Sequence, residues 1–311
     1  MGVVPQEVAR RRLAARAGAA PERGLLTIAN AYLALTKPRI IVLLLITTVP
    51  AMIVAEGGMP SLWLVLLTLV GGTLAAGGAN AINCYVDRDI DSLMARTRER
   101  PLPAGLVEPE RALMFGIALG GLSFALLALA VNLASALLAL GALAFYVFVY
   151  TLWLKRSTAQ NIVIGGAAGA MPPLVGWAAV TGGLGWPPLV LFGIIFLWTP
   201  PHFWALALRY RTDYARAGVP MLPVVAGEAE TKRQSLWYSV ALAACSLVLV
   251  PVAGMGPFYL SVALVLGAGF LWLAYRQWRA ESFRASRALF TYSLAYLALL
   301  FVAMGLDPWL R

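Results

Sequence analysis

Long apolar stretches alternate with short polar connections along almost the whole chain. Nine of these stretches are long enough, or nearly so, to cross the hydrocarbon core of a bilayer, which takes about 20 helical residues. None of the nine contains Asp, Glu, Lys or Arg, and they run over residues 40–54, 62–82, 112–131, 133–154, 162–180, 189–208, 236–254, 258–275 and 288–306. The pattern predicts an all-α, polytopic membrane protein with nine transmembrane helices.

The composition supports this class and excludes a large soluble domain. Of the 311 residues, 61% are apolar and 12% are charged, and the mean hydropathy is +0.80. Soluble domains carry about 25% charged residues. We therefore divide the chain into an N-terminal tail, residues 1–27, and a single transmembrane domain, residues 28–311.

The basic residues predict how the chain lies in the membrane. They precede the first apolar stretch and follow the second, fourth, sixth and eighth, whereas the other connections between stretches carry none. By the positive-inside rule the N-terminus is cytoplasmic and the C-terminus is outside. This bias accounts for the net charge of +10, so no nucleic-acid partner is needed. The first 23 residues, rich in Ala and Arg, suit a cytoplasmic tail better than a transit peptide.

The segment from Asn83 to Asp91 is the main candidate for chemistry. Within it Asn83, Asp87 and Asp91 follow one another at intervals of four residues, so in a helix they share one stripe. Carboxylates at that spacing repel each other and need a compensating cation. Mg²⁺ in proteins is held by one or two carboxylates together with the oxygens of a substrate phosphate. The stripe predicts a site for Mg²⁺ and a diphosphate, and the alternative is a solvated helix end.

Further charged groups lie in the same set of connections. Asp213 follows the sixth stretch, in a second long connection that, like the first, continues into a Pro-rich element with a nearby Gly. Cations next to these acids suit a diphosphate leaving group, which gains negative charge as its C–O bond breaks. Each of them also serves the positive-inside bias, and the candidates are Arg96, Arg100, Lys155 and Lys232.

These groups suggest a lipid-like substrate that loses diphosphate while its tail lies among the helices. An allylic substrate would form a carbocation, which water would quench unless the cavity is dry. Aromatic side chains stabilise a cation through their ring faces, although most aromatics in such a chain serve packing or the interfacial belt. The candidates are Tyr146, Tyr150, Trp153, Trp177, Trp198, Phe203 and Trp204.

Three segments resemble the UbiA-type intramembrane prenyltransferases and, within that superfamily, the haem O synthases (protohaem IX farnesyltransferases). They are Asn83–Asp91 with the later Arg-Thr-Arg-Glu-Arg-Pro-Leu-Pro, the segment Trp198-Thr-Pro-Pro-His-Phe-Trp, and the segment that starts at Asp213. The first is shared across the superfamily, and the other two are specific to the haem branch. The resemblance implies nine helices around a central cavity in a bacterial inner membrane. It also implies farnesyl transfer from farnesyl diphosphate to the vinyl group of haem B, with addition of water.

The resemblance also implies roles for individual residues. Asn83, Asp87, Asp91 and Asp213 would hold Mg²⁺ with the diphosphate, and the three aspartates would be the catalytic residues. The second acidic motif is incomplete, because Arg209 and Ala217 flank Asp213 at the four-residue spacing. Lys155 and Arg39 fit diphosphate-binding cations of the family. A haem A synthase is a further possible partner.

The only histidine, His202, lies within the sixth apolar stretch. A lone histidine there often just makes a hydrogen bond to a carbonyl freed by the neighbouring prolines. A neutral imidazole is also a ready ligand for haem iron, so we take His202, Trp198 and Trp204 as candidate haem-binding residues.

Two other functions remain open at this point. A prenyltransferase for an aromatic quinone precursor would keep the acidic stripe but would not need Trp198–Trp204. A secondary transporter would place ionisable groups near the bilayer midplane, and the apolar stretches contain no Asp, Glu, Lys or Arg.

Overall fold

The computed structural model describes residues 24–281 and 283–310, and within them every regular element is helical. Nine helices of this part are long and apolar enough to span a membrane, which confirms the predicted spans and the all-α class. They are α2 (Pro38–Glu56), α3 (Leu62–Val86), α5 (Pro109–Ala130), α6 (Leu133–Ser157), α7 (Asn161–Thr181), α8 (Trp186–Ala207), α11 (Gly227–Ala253), α12 (Pro257–Arg279) and α13 (Phe283–Leu306). The predicted tail lies outside the described residues up to position 23.

Four short helices lie between or before the spans, at one end of the bundle: α1 (Leu25–Leu35), α4 (Arg88–Leu93), α9 (Arg211–Arg216) and α10 (Leu222–Val225). Every Lys and Arg among the described residues lies at this same end. We call it the basic end. The apolar pattern of the spans did not predict α1, α9 or α10, whereas the helical spacing of Asn83, Asp87 and Asp91 extends into α4.

The spanning helices form a closed ring. Each packs against the next in the chain, and α13 returns to pack against α2 and α8. The largest core cluster joins α8, α11, α12 and α13, and it includes the fully enclosed aromatic side chains of Tyr259, Phe270, Tyr296 and Phe301. The other half of the ring, formed by α2, α3, α5, α6 and α7, contains many more small residues.

The tightest helix contact joins α3 to α5 and depends on glycine. A Cβ built at Gly78 would lie 2.7 Å from the carbonyl oxygen of Gly116, and one at Gly116 would lie 2.9 Å from that of Gly78. Small residues allow this close backbone approach, which membrane helices use because lipid provides little hydrophobic drive for their association. The contact fixes α3, the helix that ends in the acidic segment.

Candidate active site

The acidic segment continues the line of α3 with one break. Helix α3 ends at Val86 and α4 begins at Arg88, while the N–H of Asp87 bonds to the Asn83 carbonyl at 2.9 Å and the N–H of Asp91 to the Asp87 carbonyl at 2.8 Å. The predicted stripe is therefore preserved across the break. Asn83, Asp87 and Asp91 are 3%, 0% and 2% exposed, so the stripe is enclosed by protein and is not a solvated helix end.

Asp87 lies at the centre of this site. Its Oδ2 accepts hydrogen bonds from Lys155 Nζ and, at 2.7 Å, from Asn83 Nδ2. Its Oδ1 is buried and accepts no hydrogen bond, and Arg156 Nη2 lies 3.8 Å away. A buried carboxylate oxygen without a partner is costly. This orphaned oxygen fits a ligand of a hard cation.

Lys37 is a site residue that sequence reasoning missed. Its Nζ donates to Asn83 Oδ1 at 2.7 Å, and it is the only non-glycine residue in the described part with a positive φ, at 54°. Burial lowers the pKa of Lys37. Arg39, the predicted cation of this segment, is exposed instead. A signal was available, because a residue before proline is restricted, but the left-handed turn that aims Lys37 inward is a tertiary feature.

Asp91 is paired with a cation from the following loop. Arg100 Nη1 contacts Asp91 Oδ2 at 2.7 Å, and Thr97 Oγ1 donates to the Asp91 carbonyl at 2.9 Å. The loop is held down by Leu102, which packs against α1, α3 and α5. Arg100 is thereby fixed beside the stripe, and its binding of diphosphate stays a prediction.

The second loop packs against the first, and Arg96 connects them. Its Nη2 lies 3.4 Å from Tyr214 Oη, and its guanidinium lies 5.3 Å from the centre of the Tyr210 ring. Ile90 and the buried Tyr214 belong to one apolar cluster. Asp213, next to Tyr214, is half-buried, and its recorded ion pair is with Arg216 at 3.9 Å.

The predicted metal ligands do not form a metal cage from protein groups alone. In the described part of the chain, no three His, Cys, Asp or Glu side chains gather closely enough to hold a metal ion. Mg²⁺ ordinarily completes its octahedron with waters and substrate phosphates. The arrangement at Asp87 therefore fits a cation that shares its ligands with a phosphate-bearing substrate.

The other predicted cations divide into two groups. Lys155 contacts Asp87 directly, whereas its neighbour Arg156 forms a two-point ion pair with the exposed Asp89, at 2.7 and 2.8 Å. These hydrogen bonds lower the pKa of Asp89 to about 2. Lys232 donates to the Ala280 carbonyl at 2.9 Å and lies 3.9 Å from Glu228 Oε2, so its contacts join the start of α11 to the residue that follows α12.

An apolar cavity opens below the acidic stripe, between α2, α3, α6 and α7. Its empty volume is about 920 Å³, including its opening. Asn80 and Tyr146 line the part nearest the stripe, since Asn80 lies one helical turn before Asn83. Helix α6 widens to a π-helix over Phe145–Leu154, a distortion frequent at functional sites. Within it Thr151 accepts from Asn83 Nδ2 at 3.0 Å.

Two of the candidate haem-binding residues, Trp198 and His202, lie outside this cavity, on the side of α8 that faces α13. The His202 ring stacks between Trp198 and Phe290, with ring centres 4.1 and 4.8 Å away. Its Nδ1 lies 2.6 Å from Ser293 Oγ, and Trp198 Nε1 donates to the Ser293 carbonyl at 2.8 Å. Trp204 is fully enclosed in the apolar cluster of the second loop, so it presents no accessible surface.

Comparison with known proteins places these features in a family context. Residues 44–304 match the UbiA prenyltransferase family. Protoheme IX farnesyltransferase 1 of Saccharopolyspora erythraea is 57% identical over 94% of this chain and 94% of its own. Protoheme IX farnesyltransferase of Gloeobacter violaceus is 60% identical over 89% of this chain and 92% of its own.

Solved structures share the fold at much lower sequence identity. A digeranylgeranylglyceryl phosphate synthase superposes with a TM-score of 0.75 at 18% identity, over 90% of this chain and 98% of its own. A UbiA homologue from Archaeoglobus fulgidus, bound to DMAPP and Mg²⁺, superposes with a TM-score of 0.69 at 20% identity, over 89% of this chain and 98% of its own.

Proposed function

The chain belongs to the UbiA prenyltransferase family, and from this membership we propose that it transfers a farnesyl group from farnesyl diphosphate to a vinyl group of haem B. Water is added in the same reaction, and the products are haem O and diphosphate. The relatives that support this acceptor are 57% and 60% identical to the chain over about nine tenths of its length. An aromatic quinone precursor is the alternative acceptor.

One structural observation supports the proposal above the others. A fully buried carboxylate, Asp87, has one oxygen paired with Lys155 and one without a hydrogen bond, directly above an apolar cavity. A soluble metabolite would need no apolar cavity of this size below its phosphate site. A prenyl diphosphate needs both parts.

Asn83, Asp87 and Asp91 would hold Mg²⁺ together with oxygens of the diphosphate. Asn83 Oδ1 already accepts from Lys37, but an amide oxygen has a second lone pair. Asp213 of the second loop would act with water and substrate, because its acidic motif has no second acid at the four-residue spacing. When bound, Mg²⁺ neutralises the charge that develops on the departing diphosphate.

The protein's own cations would orient the diphosphate and favour its departure. Lys37, Lys155 and Arg100 all contact the acidic stripe, and Arg96 contacts Tyr214 of the second loop. As the bond between C1 and oxygen breaks, the electron pair stays on diphosphate and these cations stabilise it. The farnesyl C1 then bonds to the vinyl carbon of haem B, and the cation left on the porphyrin side chain takes up water and loses a proton.

The cavity would protect the allylic cation until the vinyl group reacts. Its lining is almost entirely apolar, and Tyr146 presents an aromatic side chain at the end nearest the stripe. A ring face stabilises a nearby cation electrostatically, and a dry wall keeps water from quenching it. The other predicted aromatics divide between core and lipid-facing positions: Trp204 is enclosed, and Trp153 is 63% exposed.

Haem B would bind near His202. The hydrogen bonds of Ser293 fit one tautomer of the His202 imidazole. Ser293 Oγ lies 2.7 Å from the Phe290 carbonyl oxygen and 2.6 Å from His202 Nδ1. With its single proton donated to that carbonyl, Oγ accepts from His202 Nδ1. The proton of the neutral imidazole is then on Nδ1, and the lone pair of Nε2 is free for haem iron. Trp198 fixes the ring by stacking.

We also propose that the basic end faces the cytoplasm of a bacterial inner membrane. The support is the one-sided distribution of Lys and Arg among the described residues. Farnesyl diphosphate would then reach the site from the cytoplasmic side. A haem A synthase would take over the product.

A reconstituted assay tests the reaction. The purified protein in lipid nanodiscs receives farnesyl diphosphate, haem B and Mg²⁺, and the porphyrins are separated and weighed by mass spectrometry. We expect haem O and one diphosphate per haem O, and no product after chelation of the metal. A parallel reaction contains a hydroxybenzoate in place of haem B. If the hydroxybenzoate is prenylated and haem B is not, the acceptor is the aromatic quinone precursor.

A further inference from the structure

The cavity below the acidic stripe has a defined depth. Along α3 it is lined from Asn80 to Thr68, and a separation of twelve positions in a helix corresponds to about 18 Å. The facing residues on this helix are small: Gly72, Ala75, Ala76 and Ala79. Because none of these side chains fills the cavity, its depth is set by the residues at the end farthest from the acidic stripe, which we call the inner end.

Three side chains close the inner end, one from each of three helices. They are Thr48 of α2, Thr68 of α3 and Val175 of α7, and all three are buried. We call them the floor. Beyond it the packing is dense, because Met52, Val65 and Ala179 form a separate core cluster, and a Cβ at Gly176 would lie 2.8 Å from the Thr48 carbonyl oxygen.

The depth matches a particular prenyl chain. Each isoprenyl unit adds four chain carbons, or about 5 Å at ordinary C–C bond lengths, so three units need about 15 Å and four need about 20 Å. The first length fits above the floor and the second does not. We propose that the floor of Thr48, Thr68 and Val175 sets three isoprenyl units as the longest prenyl chain that the cavity accepts, an inference that rests on the prenyl transfer proposed above.

Successive turns of α3 along the cavity correspond to successive isoprenyl units, so the accepted chain length can be shortened one unit at a time. Gly72 lies four residues above Thr68, which is about 6 Å along the axis or roughly one isoprenyl unit. A Cβ at Gly72 meets no other atom within 4 Å, so a larger side chain there has room to extend into the cavity. Ala76 lies one turn higher again. A leucine at Gly72 should therefore remove space for one unit, and a leucine at Ala76 space for two.

The test is a competition between chain lengths. Wild type and variants receive equal amounts of geranyl, farnesyl and geranylgeranyl diphosphate with haem B and Mg²⁺, and the prenylated haems are separated by mass. We expect wild type to prefer farnesyl over geranylgeranyl at least tenfold, since one methylene in an apolar pocket already changes selectivity about tenfold or more. In Gly72→Leu the farnesyl product should fall at least tenfold relative to the geranyl product.

A variant of the floor tests the opposite direction. Thr68→Ala with Val175→Ala deepens the cavity, and the geranylgeranyl product should rise at least fivefold relative to farnesyl. Folding should survive, because the Thr68 hydroxyl bonds only to the Leu64 carbonyl of its own helix, at 2.8 Å. Gly141→Leu is the control, because Gly141 is exposed and a Cβ there meets nothing within 4 Å. It should keep the wild-type distribution.

The outcomes separate this inference from the proposed function. Equal use of farnesyl and geranylgeranyl diphosphate by wild type would contradict the proposed role of the floor. An unchanged distribution of prenylated products in both sets of variants would contradict it too. If wild type releases diphosphate from farnesyl diphosphate but forms no haem product, the proposed acceptor fails. Diphosphate release from each of the three substrates then still measures the chain-length selection.

Discussion

Lys37 and Asn83 are joined by a hydrogen bond of 2.7 Å between Nζ and Oδ1, made from a lysine whose backbone is in the left-handed region, with a φ of 54°. A non-glycine residue seldom adopts this conformation, and its cost of order 1–3 kcal/mol persists only where the surroundings impose it. Here Pro38 begins α2 directly afterwards. The turn directs an ammonium group into the acidic stripe.

We predict that Lys37→Met lowers kcat/KM for farnesyl diphosphate about 10- to 100-fold, the range expected for losing one charge-assisted hydrogen bond. Arg39→Met should change it less than threefold, because Arg39 is exposed. Initial rates at varied farnesyl diphosphate measure both. A larger effect at Arg39 than at Lys37 would show that Arg39, the residue suggested by the sequence, is the diphosphate-binding cation of this segment.

A second prediction separates charge pairing from catalysis at Asp87. Asp87→Asn should abolish turnover and lower the thermal stability, because Lys155, whose side chain is 15% exposed, loses its counterion; breaking such a pair costs about 3–5 kcal/mol. In Asp87→Asn/Lys155→Met the stability should return in part while activity stays absent. Asp89→Asn, in the same segment but exposed, should remain active. Turnover by Asp87→Asn above a tenth of wild type would rule out the carboxylate as a necessary ligand.

The close contact of α3 with α5 gives a prediction about stability. Gly116→Ala places a methyl group 2.7 Å from Ile82 Cγ1 and 2.9 Å from the Gly78 carbonyl oxygen, so α3 and α5 must separate. Overpacking of this kind costs about 1–3 kcal/mol. Gly121→Ala on the same helix meets nothing within 4 Å and serves as the control. Unfolding temperatures in detergent should fall for Gly116→Ala only, and equal temperatures would show that the contact can relax.

Orientation in the membrane is tested by cysteine labelling. Cys84 and Cys245 are first replaced by serine, and single cysteines are introduced at Glu99 and Leu184, which are exposed at opposite ends of the bundle. In inside-out vesicles a membrane-impermeant maleimide should label position 99, and in intact spheroplasts it should label position 184. The reverse pattern would place the basic end outside.

The spans and the acidic stripe could be predicted from the sequence because both depend on local patterns. Apolar stretches of membrane length are visible directly in the sequence. The four-residue spacing keeps Asn83, Asp87 and Asp91 on one stripe despite the helix break at Asp87. The sequence also named Lys155 among the cations around the stripe, and its Nζ contacts Asp87; its binding of diphosphate stays a prediction. These features need no knowledge of which helices meet.

The remaining features depend on tertiary packing, which a pattern does not carry. The inward turn of Lys37 needs α2 and α3 side by side, and the π-helix of α6 has no hydrophobic signature. Lys232 looked like Lys155 in sequence, yet its partners are the carbonyl of Ala280, just after α12, and the carboxylate of Glu228. Trp204 looked like a haem contact, yet it fills the core below the second loop.

The last prediction concerns His202 and the serine that orients it. If Nε2 ligates haem iron, His202→Ala should shift the Soret band of the protein with added haem B and weaken haem binding more than tenfold. Ser293→Ala keeps the imidazole and removes the acceptor of its Nδ1 proton, together with a hydrogen bond to the Phe290 carbonyl of the same helix. The band should therefore keep its ligand type while affinity falls about tenfold, as is usual when a group that orients a ligand is lost. Ser239→Ala is the control, because that hydroxyl is equally buried but bonds only to the Ser235 carbonyl. Unchanged spectra and affinity in both His202→Ala and Ser293→Ala would show that the imidazole holds α8 against α13 and does not bind haem.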